Sequence, residues 1–177
     1  MPRIAVITGA SSGIGKELAI HFSQNGIQVV LVARSIKHLS EVEYDIKRNG
    51  GSCIAVPTDV SSPDDVLNLK KQISHLGTVD ILINNAGLGC FGSIEDLSIE
   101  DWNRQINVNL SSSFLLSKAF VPDMQKAKKG ALVFVNSIAG RKSFRNSIGY
   151  VTSKFALRGF SNSLREDLRS YNIKVIS

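Results

Sequence analysis

An α/β fold, built as a doubly wound parallel sheet between two helical layers, is predicted for this 177-residue chain by three observations. Six short apolar runs alternate with helix-length stretches from one end of the sequence to the other. The runs are nearly unbroken in Val, Ile, Leu and Ala, the mark of strands buried on both faces. The first run ends in a glycine-rich turn, Thr8-Gly9-Ala10-Ser11-Ser12-Gly13-Ile14-Gly15, that leads directly into a helical pattern. Right-handed crossovers then place helices on both faces, giving three layers, α/β/α. No repeat, low-complexity tract or linker interrupts the pattern, so residues 1–177 read as one domain.

In chain order, Ile4-Ala5-Val6-Ile7 is the first buried strand. The helix opened by Gly13-Ile14-Gly15 runs to about Asn25, with Ile14, Leu18, Ala19 and Phe22 expected on one face, and Gly26 stops it. Val29-Val30-Leu31-Val32 is the second strand, and a polar helix follows from about Ser35 to Asn49. Asn49-Gly50-Gly51 breaks the chain before the third strand, Cys53-Ile54-Ala55-Val56. Ser62-Pro63 starts the next helix, because Pro suits a first helical turn. Val79-Asp80-Ile81-Leu82-Ile83 is strand four, and a long helix from about Glu100 to Lys126 is expected to bend near Pro122. Ala131-Leu132-Val133-Phe134-Val135 is strand five. A helix from Tyr150 to Tyr171 carries Phe155, Leu157, Phe160, Leu164 and Leu168 at helical spacing, and Ile173-Lys174-Val175-Ile176-Ser177 begins strand six. As the edge strand, it is expected to expose Ile173, Val175 and Ile176.

Composition narrows the function classes. Charged residues make up 20 % and hydrophobic ones 43 %, as in soluble globular proteins. The net charge is +6, but the basic residues are scattered and no aromatic-interleaved basic patch appears. A nucleic-acid-binding module is therefore disfavoured, and a surface suited to anionic small molecules is expected. Cys53 and Cys90 stand far apart, and His21, His38 and His75 are isolated, so no metal site is expected. Two unpaired thiols fit a reducing compartment, and neither a leader nor a membrane span is visible, which points to the cytoplasm.

Three places carry chemistry. In the first turn, Gly9 permits the tight bend, Gly13 lets a pyrophosphate approach the backbone, and Gly15 permits close helix–strand packing. The helix amino terminus, with Ser11, Ser12 and Ile14 beside it, offers free N–H groups and positive dipole to an anion. At the end of strand two, where an acidic residue would hold the ribose of NAD, the sequence reads Val32-Ala33-Arg34-Ser35. Arg34 suits the 2′-phosphate of NADP(H), with Ser35 as a second hydrogen-bonding group. Finally, Tyr150 and Lys154 lie four apart, on one helical face. An ammonium beside a phenol favours the phenolate and moves the group's pKa from about 10 toward neutrality, where a general acid or base works best. Ser137 falls just beyond the carboxyl end of strand five, where open α/β sheets place their sites.

With these residues in place, the chain resembles the short-chain dehydrogenase/reductase family. Four signals match in order and spacing: the turn from Thr8 to Gly15, Asn84-Asn85-Ala86-Gly87, Asn109 within Asn107-Val108-Asn109, and Ser137 with Tyr150 and Lys154. The resemblance implies a Rossmann fold with strand order 3-2-1-4-5-6-7 and hydride transfer between a nicotinamide and a carbonyl or alcohol. It implies that Tyr150 moves a proton to or from the substrate oxygen, that Ser137 holds that oxygen, and that Lys154 assists Tyr150 and holds the nicotinamide ribose. Asn109 is expected to bend its helix and to seat a water in a proton relay. Asp59 and Val60 should face the adenine, while Asn85, Ala86 and Gly87 line the cofactor cleft and stiffen the sheet. A small-molecule carbonyl or alcohol substrate and a homo-oligomer, dimer or tetramer, are implied as well.

The substrate walls are expected in Leu88-Gly89-Cys90-Phe91-Gly92 and Arg141-Lys142-Ser143-Phe144-Arg145-Asn146. The basic residues of the second segment suit either an anionic substrate or acyl-carrier partner, or a solvated loop face. Family members continue past a sixth strand into a Pro-Gly turn, a substrate lid and a seventh strand, which this chain lacks. Reading it as C-terminally incomplete leaves two functions open: an NADP(H)-dependent oxidoreductase, or a truncated dinucleotide-binding protein with little or no turnover.

Overall fold

Strand β1 (Ile4–Thr8), all five of its residues buried, sits near the middle of a six-stranded parallel sheet. The computed structural model describes residues 2–177. Helix α1 (Gly13–Gln24) leads to β2 (Gln28–Ala33), and α2 (Ile36–Arg48) to β3 (Cys53–Pro57). Helix α3 (Pro63–Ile73) and a short 3₁₀ turn precede β4 (Ile81–Asn84). Helices α4 (Ile99–Ile106) and α5 (Ser112–Ala127) flank a π-helical stretch, Asn107–Ser111. Strand β5 (Gly130–Phe134), helix α6 (Ile148–Leu168) and β6 (Ile173–Ile176) complete the order.

Across the sheet the order is β3-β2-β1-β4-β5-β6, every neighbouring pair parallel. The chain builds outward from β1 to β3, then returns to start again at β4. That reversal opens a crevice between the carboxyl ends of β1 and β4, where α/β sheets bind ligands.

Side chains alternate between two cores. Val6, Val30 and Leu82 face α3, α5 and α6, packing with Leu69, Leu116 and Leu157. Ala5, Ile7, Val29 and Leu31 face α1 and α2, packing with Ala19, Leu39 and Ile46. Leu82 has no exposed surface, so Leu82→Ala should cost about 2–5 kcal/mol of stability by lost transfer energy and a residual cavity. Urea denaturation followed by circular dichroism would read it as a lower midpoint at unchanged slope.

Local chemistry explains the helix starts. Ser35, Ser62 and Ser98 each accept a hydrogen bond from the backbone N–H three residues on, and Pro63 with Asp64 and Asp65 completes the first turn of α3. Helix α1 differs, because Ser12 makes no side-chain cap and no acidic residue stands in the first turn.

Several expectations are corrected. Ile14 is 61 % exposed, since α1 approaches the sheet through Gly15, Ala19 and Ser23, and larger side chains there would hold it away. Phe155 is 44 % exposed, as α6 turns Gly149, Ser153, Leu157 and Ser161 inward, roughly half a turn from it. The long helix is broken at Asn107–Ser111, around the Asn109 where a bend is expected, and Pro122 lies inside α5, which continues to Ala127. Just past the π-helical stretch, Ser112 Oγ donates to the Val108 carbonyl at 2.6 Å. In β6, Ile173 and Val175 are buried against α6 and the sheet's core, because strand side chains alternate, while Lys174 and Ile176 face outward, Ile176 53 % exposed.

Candidate active site

The glycine turn is shaped by close packing. Gly9 has φ +66°, and a Cβ there would fall 2.8 Å from Asn85 Nδ2. A Cβ on Gly15 would run into the Gly9 carbonyl oxygen, so a side chain at either position would force the turn apart. Thr8 and Asn85 lash the ends of β1 and β4 together. Thr8 Oγ1 donates to the Ile83 carbonyl (3.1 Å) and accepts from the backbone N–H groups of Asn85 (2.9 Å) and Ala86 (3.0 Å). Asn85 Nδ2 donates to the Thr8 carbonyl at 2.8 Å. Asn85 thus joins β1 to β4 through a bond network whose other end is the Thr8 hydroxyl, which sequence reasoning left unassigned.

A cleft of about 780 Å³ opens at this switch point. Gly9, Ser11, Ser12 and Ile14 line it from the turn, Arg34, Ser35 and His38 from the end of β2, and Asp59 and Val60 from beyond β3. Asn85, Ala86 and Gly87 close it from β4. Gly13 and Gly15 lie in the turn but outside the cleft lining, and act through the backbone they permit. Asp59 holds its carboxyl below the usual range, because Ser61 donates both its hydroxyl (2.6 Å) and its N–H (2.9 Å), with the Arg34 charge adding to the effect. The uncapped start of α1 faces this cleft with its donors free, which fits the phosphates of a dinucleotide.

A second cavity, of about 340 Å³, shares Ile14, Asn85, Gly87 and Leu88 with the first. Tyr150 and Lys154 line it together with Gly89, Phe91, Val135 and Asn136. The helical spacing therefore delivers the phenol and ammonium to one space. Lys154 is 5 % exposed, its Nζ donates to the Val135 carbonyl at 3.0 Å, and it stands 5.8 Å from the centre of the Tyr150 ring. Burial lowers its pKa. The Phe91 ring covers the other side, tilted at 55° with centroids 5.7 Å apart.

Two expected site residues stand differently. Ser137 lines a neighbouring depression of about 500 Å³, with Arg141, Arg158 and Arg165, outside the Tyr150 cavity. Its Oγ accepts from the Ala139 N–H at 3.1 Å, capping a 3₁₀ turn over Ile138–Gly140. Asn109 is buried, and its side chain is committed: Oδ1 accepts from Leu88 N–H (2.8 Å), while Nδ2 donates to the Leu88 carbonyl (2.8 Å) and Ser153 Oγ (3.0 Å). Ser153 Oγ in turn donates to the Tyr150 carbonyl at 2.7 Å. Ser153, missed in the sequence, ties the π-helical stretch to the helix that bears Tyr150. The Asn84 side chain, by contrast, is buried, and among the described residues neither of its polar atoms has a hydrogen-bond partner.

Among the described residues, no group of His, Cys, Asp and Glu could hold a metal ion, and no helix is long and apolar enough to cross a membrane. Cys53 is buried, which pushes its thiol up to about 11.

The parallel sheet, the glycine turn at its switch point and the shared Tyr150–Lys154 cavity define a Rossmann-type oxidoreductase scaffold. The profile of the short chain dehydrogenases matches residues 3–177. Sepiapterin reductase of Chlorobaculum tepidum is 33 % identical over 183 aligned positions, covering 99 % of this chain and 75 % of the relative. Dehydrogenase/reductase SDR family member 7 of Homo sapiens is 37 % identical over 176 positions, 97 % of this chain but 52 % of the relative. The crystal structure of a metagenomic short-chain oxidoreductase in complex with NADP superposes with a TM-score of 0.95 at 35 % identity, covering 99 % of this chain and 80 % of that one. The chain belongs to the short-chain dehydrogenase family, and it spans between about half and three quarters of these two relatives' lengths.

Proposed function

We propose that the chain is an NADP(H)-dependent oxidoreductase acting on a small carbonyl compound or secondary alcohol. The observation that carries this reading is the continuity of two cavities: one holds Tyr150 and Lys154, and the other runs past the uncapped start of α1 to Arg34. When bound, a nicotinamide dinucleotide supplies or accepts the hydride. The protein's part is positioning and proton transfer. The turn from Gly9 to Gly15 holds the pyrophosphate on backbone N–H groups, and Asp59 and Val60 flank the adenine. Tyr150 donates a proton to the carbonyl oxygen in reduction and removes one in oxidation. Lys154 holds its Nζ 5.8 Å from the centre of the Tyr150 ring and would hold the nicotinamide ribose. Asn109 and Ser153 fix the helix turn that carries both. Ser137 binds the substrate oxygen once its hydroxyl turns from its cap toward the Tyr150 cavity, a rotation that side-chain rotamers permit.

The cofactor preference follows from Arg34, exposed at the cleft with no carboxylate in the place where one would hold a free ribose. Fluorescence titration should show NADPH binding tighter than NADH, and Arg34→Ala should shrink the gap by about 10- to 100-fold, the value of a charge-assisted contact to phosphate. Equal affinity for both dinucleotides in the unaltered protein would remove the basis for an NADP(H) enzyme.

A further inference from the structure

Helix α4 buries one residue completely, and that residue is Gln105. An amide at a buried position loses its hydration unless the protein replaces it. Only half of this one is replaced. Gln105 Oε1 accepts from the Cys90 N–H at 2.9 Å, whereas Nε2 has no hydrogen-bond partner among the described residues. The Nε2 end lies against the first turn of α6, where a Cβ added to Gly149 would stand 2.5 Å from it. The carboxamide is thus wedged between the loop after β4 and the residue that precedes Tyr150.

That loop belongs to no strand, and Gly92 makes an isolated parallel bridge to Ser147, while three alternate N–H groups are anchored. Leu88 donates to Asn109 Oδ1 (2.8 Å), Cys90 to Gln105 Oε1 (2.9 Å) and Gly92 to the Asn146 carbonyl (2.8 Å). Two side chains and one carbonyl therefore do what a neighbouring strand would do. Between the anchors, Phe91 packs on the Tyr150 ring, and a Cβ on Gly89 would stand 3.5 Å from that ring's Cδ2. The middle anchor controls the pair of residues that face the phenol.

We infer that Gln105 is a positioning residue, which sets the substrate-side wall against Tyr150 by holding Cys90 on one side and packing on Gly149 on the other. This rests on the reading of Tyr150 as the proton-transfer group. Gln105 makes no hydrogen bond to either Phe91 or Tyr150. It acts through Cys90–Phe91 and through Gly149–Tyr150, so its loss should alter how a carbonyl substrate is held while leaving the dinucleotide cleft alone.

Two length-preserving substitutions separate this role from space filling. Gln105→Glu keeps an oxygen for the Cys90 N–H in either protonation state, and Gln105→Met removes it while suiting an apolar pocket better. Hydrogen exchange read by NMR should show the Cys90 amide about tenfold faster in Gln105→Met, as expected for one lost hydrogen bond, and near the parent rate in Gln105→Glu. Gly149→Ala should reproduce the Gln105→Met result, because its methyl displaces the amide. With ethyl benzoylformate as probe substrate, Gln105→Met should raise KM about three- to tenfold while NADPH affinity stays within about twofold. The reverse ranking, with Gln105→Met like the parent and Gln105→Glu impaired, would make Gln105 mere filling and overturn the proposal. Unchanged Cys90 exchange in Gln105→Met would do the same. The exchange arm needs no turnover, so an inactive parent would count against the oxidoreductase reading and leave the hold on the loop separately decided.

Discussion

Tyr150→Phe is expected to lower reduction of a carbonyl substrate by about 10²–10⁴-fold while NADPH binding stays near that of the parent. The substitution removes one oxygen and keeps the ring. The ring's packing against Phe91, at 5.7 Å between centroids, and its place beside Lys154 depend on shape, so both should survive. Nothing in the cleft from Gly9 to Arg34 changes. The deficit should therefore sit in kcat. NADPH oxidation under saturating cofactor, followed by absorbance, measures it. Turnover within a few-fold of the parent would assign proton transfer to another group.

Much of this site is legible in the sequence because it is local. The glycine turn is one continuous stretch, and its consequences, the tight bend at Gly9 and the close approach at Gly15, follow from backbone sterics alone. Tyr150 and Lys154 are one helical turn apart, so spacing suffices to place them together. The six strands declare themselves as apolar runs because both sheet faces are covered.

What stayed hidden depends on residues far apart in the chain. Gln105 is an unremarked polar residue in an amphipathic helix until the loop at Cys90 and the turn at Gly149 close on it. Ser153 and Asn109 meet across 44 positions. Ile14 shares a helical face with Leu18, Ala19 and Phe22 in the sequence, but small residues govern how closely α1 approaches the sheet. The Ser137 hydroxyl was placed by its position after β5, whereas its rotamer is set by the nearby Ala139 N–H, a competitor no strand pattern reveals.

Lys154→Met should give a protein that is more stable and far less active. Lys154 is buried; among the described residues no carboxylate lies within salt-bridge distance, and its ammonium has one hydrogen bond, to the Val135 carbonyl. Desolvation without a compensating charge lowers its pKa from the ordinary lysine value of 10.5. The sign of the linkage follows. Between the lowered folded value and 10.5 the unfolded chain binds more protons than the folded one, so parental stability rises with pH through that window. Below the folded value the full cost of the buried charge is present, and that range is where Met, apolar and of similar length, should relieve it. A relief of 1 kcal/mol would raise Tm by about 2–4 °C for a chain of this size, and the rise of stability with pH in that window should flatten in the variant. The same substitution removes the cation beside Tyr150, so carbonyl reduction should fall by about 10²-fold or more. Scanning calorimetry across pH and NADPH oxidation give the two readouts. A residue kept for the fold would show the opposite pair, lower Tm with activity retained, and that result would detach Lys154 from the chemistry at Tyr150.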